Sequence, residues 1–230
     1  MPHVLTPSDV KQFRDRVCVV ATELFAELGY DGFNMRRLAA RLGVSAMTAY
    51  RYFDGKTDIL AAVRARGFVR LAERLETAGD DSETMLGKIA TVCQAYVDFA
   101  REEQTHYRLM FDLSQPQLGR SAELAGAERR AFEALATHVR VGAPGSDADR
   151  LARILWASLH GITALSLMET SPTAESDDLI PEIVRRFAAP GGVPDEFEPG
   201  QPLSARDRQP HRSDWRESAA TNTIPLTAAE

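Results

Sequence analysis

Apolar side chains along this chain recur at spacings of three and four, which places them on one face of an α-helix. Val10, Phe13, Val17, Val20, Leu24 and Leu28 follow the rule and predict a first helix ending at Gly29. Met35, Leu38, Ala39 and Leu42 mark a second, capped by Asn34 and stopped by Gly43; Ser45 is the N-cap of a third, from Ala46 to about Phe53. A fourth should run from Thr57 to about Ala78 with Ile59, Leu60, Val63, Val69, Leu71 and Leu75 as its apolar content, before the break at Gly79, Asp80 and Asp81. Ser82 then caps a fifth, through Ile89, Val92, Tyr96, Val97, Phe99 and Ala100 to about Glu103. A short helix through Tyr107, Leu109, Met110 and Phe111 stops before Pro116. Helices from Ala122 to about Arg140, from Asp149 to about Glu169 and from about Ser176 to Ala188 complete an all-α protein of about nine helices.

The Asp149 helix carries little charge after Arg153: ILWASLHGITALSLM is apolar or small almost all round. Such a helix needs cover on most sides, and in a chain of 230 residues a second subunit is the readiest source. Small Ala157, Ser158, Gly161 and Ala164 permit close approach, so a homodimer through helices 149–171 and 176–189 is expected. From residue 190 the character changes. Six of the 12 prolines fall there, among Gly, Ser, Asp and Arg, as in a disordered tail.

The stretch from Tyr30 to Asp58 packs two short helices and a glycine turn into a compact hairpin. Leu38, Leu42, Val44, Ala49 and Tyr52 face inward, leaving Ala46, Met47, Thr48, Tyr50 and Arg51 outward on the second helix, a set slim enough for a major groove. Lys56 beside Gly55 and Thr57, at the start of the next helix, makes a phosphate clamp. Helical hairpins without DNA-binding roles share this outline, so the hairpin alone leaves both readings open.

The run GFNMRRLAARLGVSAMTAYRYFDGKTDIL resembles the DNA-binding domain of the TetR family of bacterial transcriptional regulators, over roughly residues 10 to 65. The resemblance implies that Arg36 reaches a base or phosphate, that Thr48 and Tyr50 contact DNA from the recognition helix, and that Lys56 binds phosphate. Ser45, Ala46, Met47 and Arg51 complete the expected DNA-facing set. Two departures stand out: Asn34 replaces the family's usual Ser or Thr, and Ala46 with Met47 offers no bidentate base reader. Trp156, His160 and Gly161 are similar to the Trp-x-x-x-His-Gly element of one type of TetR-family C-terminal domain, and HYRLMF at 106–111 to its middle helix.

The net charge of −6 would oppose nucleic acid if spread evenly, but residues 1–70 carry 11 Lys+Arg against 7 Asp+Glu and the remainder 16 against 26. A mildly basic N-terminal module on an acidic body suits a protein that offers one face to phosphates. No apolar run approaches the roughly 20 residues that span a bilayer, and MPHVLTPSDV lacks a signal-peptide pattern, so a cytoplasmic protein without a membrane role is expected. Cys18 and Cys93 each sit in a helical apolar pattern, as packed, reduced thiols do.

Enzyme signatures are missing from the sequence: there is no His-Glu-x-x-His, nucleotide-binding glycine loop, Cys-x-x-Cys or Gly-x-Ser-x-Gly. Glu103 and His106 have the spacing of a di-iron half-site, but no second Glu-x-x-His accompanies them. No catalytic residues, metal or cofactor are therefore expected. The expected division is a helix-turn-helix domain (1–56), a helical effector-binding and dimerisation domain (57–189) and a tail (190–230). The expected partners are an operator duplex, a second copy and an unidentified small effector, bound within the C-terminal bundle by Cys93, Tyr96, Tyr107, Phe111, Trp156 and His160 and, from their scarcity of charge, largely apolar. The alternatives are an all-α enzyme, or a protein-docking module whose hairpin is structural.

Overall fold

A computed structural model describes residues 6–78, 84–112, 121–142, 148–168 and 179–188. They form α1 (Pro7–Gly32), α2 (Met35–Leu42), α3 (Ala46–Tyr50), α4 (Lys56–Thr77), α5 (Met85–Glu102), α6 (Gln104–Phe111), α7 (Ala122–Gly142), α8 (Ala148–Ser166) and α9 (Leu179–Ala188), with no strand among the described residues. None of these helices is long and apolar enough to cross a membrane.

Local chemistry sets the N-terminal boundaries. Thr6 and Asp9 form a reciprocal capping box around Pro7, each side chain accepting the other's backbone amide at the start of α1. Its helical dihedrals break at Gly29 (φ 67°, ψ 178°), and one further turn carries the chain to Gly32. The Asn34 side chain accepts the Arg37 amide, and the Ser45 side chain accepts the Thr48 amide. Between those caps Gly43 takes the left-handed conformation (φ 70°, ψ 30°), where a Cβ would crowd the backbone. α3 ends at Tyr50 rather than near Phe53: Arg51 and Tyr52 bond to carbonyls only three residues back, a tighter winding that turns the chain toward Gly55.

Two apolar cores follow. One gathers Val17, Ala21, Leu24 and Phe25 of α1, Phe33, Leu38 and Leu42, Ala49, Phe53, and Ile59, Leu60 and Val63 of α4. Leu109 of α6 also belongs to it. The other gathers Phe68, Leu71, Ala72 and Leu75 of α4 with Val92, Tyr96 and Val97 of α5, Tyr107 and Met110 of α6, Leu135 of α7, Leu155 and Leu159 of α8, and Ile180 and Val184 of α9. α4 thus lines both. It crosses α6 so closely that a Cβ on Gly67 would sit 2.6 Å from the Met110 sulfur.

Several expectations shift. Leu28 is exposed, because α1 turns Cys18, Ala21 and Phe25 into the core and the stripe leaves Leu28 behind at the Gly29 break. Thr84 caps α5, its side chain accepting the Gly87 amide; Ser82, expected in that role, lies outside the described residues. α8 stops at Ser166, short of the expected end near Glu169. There the Ser166 hydroxyl donates to the Thr163 carbonyl and Met168 bonds only three residues back. Ala152, Leu155, Leu159 and Thr163 form its buried face, while Ile154, Leu165 and Met168 are exposed and Gly161 faces open space. Residues 169–178, and with them the expected start of the last helix at Ser176, lie outside the described residues, as does the expected tail at 190–230.

Candidate nucleic-acid interface

The aromatic side chains beneath α3 explain why so short a helix is held firmly. Phe25 stacks on Phe33 with ring centroids 4.2 Å apart, Phe13 meets Tyr52 at 4.5 Å, and Phe53 is sealed in the core. Ala49 is fully buried and fixes which face of α3 turns inward. Outward stand Met47, 73% exposed, and Tyr50, 50% exposed, with Ala46 and Thr48 half-buried between them. The hydroxyls of Ser45 and Thr48 lie 2.9 Å apart, so the cap and its neighbour present one joined polar group.

Cationic side chains stand on the elements before and after α3. Arg36 and Arg37 project from the first turn of α2 and Arg51 from the end of α3, all exposed. Arg37 was not singled out by the sequence pattern; its exposure beside Arg36, at the amino end of α2, adds it to the set. Arg41 is differently employed, with Glu27 at 2.7 Å and Glu23 at 3.7 Å. Lys56 opens α4, as expected, and its ammonium is already cradled: it lies 4.0 Å from the centre of the Tyr30 ring and 3.4 Å from the Tyr30 carbonyl. The Tyr30 hydroxyl in turn lies 3.1 Å from that of Thr57. These contacts hold Lys56 against the end of α1 at the start of α4.

The C-terminal residues expected to line an effector site do meet, as a packed aromatic group. Tyr107 is the hub: its hydroxyl is 2.8 Å from His160 Nδ1 and 3.3 Å from the Tyr96 hydroxyl. Trp156 meets Tyr96 edge-on at 5.3 Å, and Phe111 meets His160 at 4.3 Å. Burial pushes the Tyr107 phenol up to about 12, raises that of Tyr96 as well, and lowers His160, so the group is neutral near pH 7. Thr163 Oγ1 is sealed beside it without a completed hydrogen bond. Cys93 is fully buried nearby on α5, its thiol pushed up to about 12 by burial; Cys18 rises to about 11 for the same cause. Both thiols are free.

Glu103 and His106, the half-site spacing noted above, lie 3.0 Å apart, and Glu103 also pairs with Arg70. The pair is an ordinary ion network at the corner of α5 and α6. No cluster of three potential metal ligands occurs among the described residues.

Two family models match the chain. Residues 18–63 fit the model of bacterial regulatory proteins of the tetR family, and residues 89–187 that of the tetracyclin repressor-like C-terminal domain. The chain belongs to the TetR family of transcriptional regulators. TetR-family membership makes it a regulator and not an enzyme. The transcriptional activator FasR of Mycolicibacterium smegmatis is 26% identical over 115 residues, covering 49% of this chain and 52% of that protein. The nucleoid occlusion factor SlmA of Haemophilus influenzae is 30% identical over 127 residues, 50% of this chain and 58% of that one. The alignments therefore span only about half the length of these relatives. Among solved structures, the regulatory protein SCO4313 superposes with a TM-score of 0.67 at 19% identity, over 81% of this chain and all of that one. FadR of Bacillus subtilis, in complex with stearoyl-CoA, gives 0.62 at 19% identity, over 74% of this chain and 97% of its own. At such identities the structural likeness speaks for the fold alone.

Proposed function

We propose that this chain is a cytoplasmic, ligand-responsive repressor that binds a palindromic operator as a homodimer, with residues 1–56 as the reading head and 57–189 as the effector-binding and dimerisation domain. The observation that carries the reading is the tip of α3, where exposed Met47 and Tyr50 stand on a helix fixed from beneath, with Arg36, Arg37, Arg51 and Lys56 on the elements that flank it. That group suits a major groove flanked by phosphates, with Ser45, Ala46 and Thr48 close to the base edges. Sparse hydrogen-bonding capacity on α3 points to recognition resting on phosphate positioning and contact with thymine methyls.

Dimerisation is supported by the exposed face of α8, where Ile154, Leu165 and Met168 flank Gly161 in open space, with Leu179 of α9 exposed as well. A two-fold contact through this face would place two reading heads against two half-sites. The effector would enter among Cys93, Tyr96, Tyr107, Phe111, Trp156 and His160, whose neutral, aromatic character suits a largely apolar molecule. Repression is proposed as the direct consequence of occupying an operator, released when the effector favours the arrangement that does not fit DNA.

Genomic footprinting with the purified protein would supply the operator, and titration of that duplex tests the assignment. Tyr50→Ala and Lys56→Ala should each weaken binding by roughly 1–3 kcal/mol with the dimer intact. Unchanged affinity in both variants would remove the assigned contacts. Salt-insensitive binding to a protein, with no duplex protected, would favour a docking module instead.

A further inference from the structure

Arg14 lies outside every motif of the helix-turn-helix, yet it touches three parts of the molecule at once. One terminal nitrogen donates to the Tyr52 carbonyl at 2.8 Å, just beyond the end of α3, and its Cζ lies 4.3 Å from the centre of the buried Phe53 ring. The other terminal nitrogen reaches 3.2 Å to Glu123, in the first turn of α7. The root of Arg14 is itself fixed: Arg66 of α4 donates to both the carbonyl and the carboxylate of neighbouring Asp15. A cleft of about 840 Å³ opens alongside, between α1, α4 and α7, with Arg14 and Glu123 both on its wall.

We infer that Arg14 is a positioning residue through which α7 sets the pitch of the recognition helix. A guanidinium holds two acceptors in one rigid plane, so a shift of Glu123 turns the same group that grips the Tyr52 carbonyl. α7 also carries Leu124, Ala127, Ala131 and Leu135 in the larger core, so any rearrangement of that core moves Glu123 with it. Stability hardly depends on the link, since Glu123 is 61% exposed and pairs of that kind contribute little to folding. Its effect is on geometry at the DNA.

The inference rests on the reading that α3 meets DNA, and a double-mutant cycle tests it separately. Arg14→Met, Glu123→Gln and the double variant are compared with the parent protein for affinity toward a duplex selected from random sequence, and for urea unfolding. The expected result is strong non-additivity in DNA affinity: the double variant matches Arg14→Met alone, although Glu123→Gln by itself shifts affinity about fivefold or more. The unfolding cycle should close to additivity. Multiplicative effects on affinity, or the same coupling in unfolding as in DNA binding, would overturn the inference. A parent protein that selects no duplex at all would instead overturn the DNA-binding reading.

Discussion

The two cores solve opposite problems with their polar groups. Around α2 and α3 the polar side chains stay at the surface and satisfy backbone amides a few residues away, as Asn34 and Ser45 do. Around α5, α6 and α8 the polar groups of Tyr96, Tyr107 and His160 are drawn inside and meet across helices, with the Thr163 hydroxyl sealed beside them and unpartnered. A surface built from local bonds keeps its shape without help and suits a fixed reading edge. An interior of neutral, partly satisfied polar groups sits closer to an alternative arrangement, which suits a site that must respond.

Removing core volume should break the comparison most forcefully. Leu38→Ala in the smaller core and Leu71→Ala in the larger should each lower unfolding free energy by about 2–5 kcal/mol. Because α4 lines both cores, urea denaturation followed by far-UV circular dichroism should show one transition in either variant. Two separate transitions in Leu38→Ala would mean that the reading head melts alone.

Gly43→Ala should cost about 1–2 kcal/mol, since alanine must adopt the left-handed dihedrals that glycine accepts freely. The effect should fall on the reading head, seen as faster amide exchange in α2 and α3 than in α5. Tyr107→Phe removes the hub hydroxyl and should cost about 1 kcal/mol in the same denaturation assay, with no change in operator affinity of the effector-free protein.

The smallest expected effect is on pH. Burial lowers His160, and burial together with Arg70 lowers His106, so both bind protons more readily when unfolded. Their contribution to stability is complete above the unfolded value near 6.5 and is lost as pH falls below it. Urea midpoints measured from pH 7.5 to 5.5 should decline, and His160→Gln should flatten the decline. A midpoint independent of pH over that range would contradict the burial of both rings.

The reading head was legible because its determinants are neighbours in sequence. Asn34, Gly43 and Ser45 announce the ends of α2 and α3 by local chemistry, and all three behave as that chemistry requires. Phase was less legible than period: the stripe through Val17 and Leu24 identifies α1, but it overlooks Ala21 and Phe25 as core and includes exposed Leu28. Tertiary packing chose between overlapping stripes. The aromatic group could be named from composition, yet the Tyr107–His160 bond spans 53 residues and no periodicity reports it. Arg14 was silent for the same reason, since its partners lie 38 and 109 residues away.

The double membership of α4 bears on how such regulators can be recombined. A graft that moves only the segment up to Lys56 onto another body would leave behind Ile59, Leu60, Val63 and Leu109, which close the underside of the reading head. A chimera would have to carry the first two turns of α4 and supply a leucine from the recipient's own scaffold. Exchange of DNA specificity between such proteins is therefore constrained by a floor that belongs to neither half.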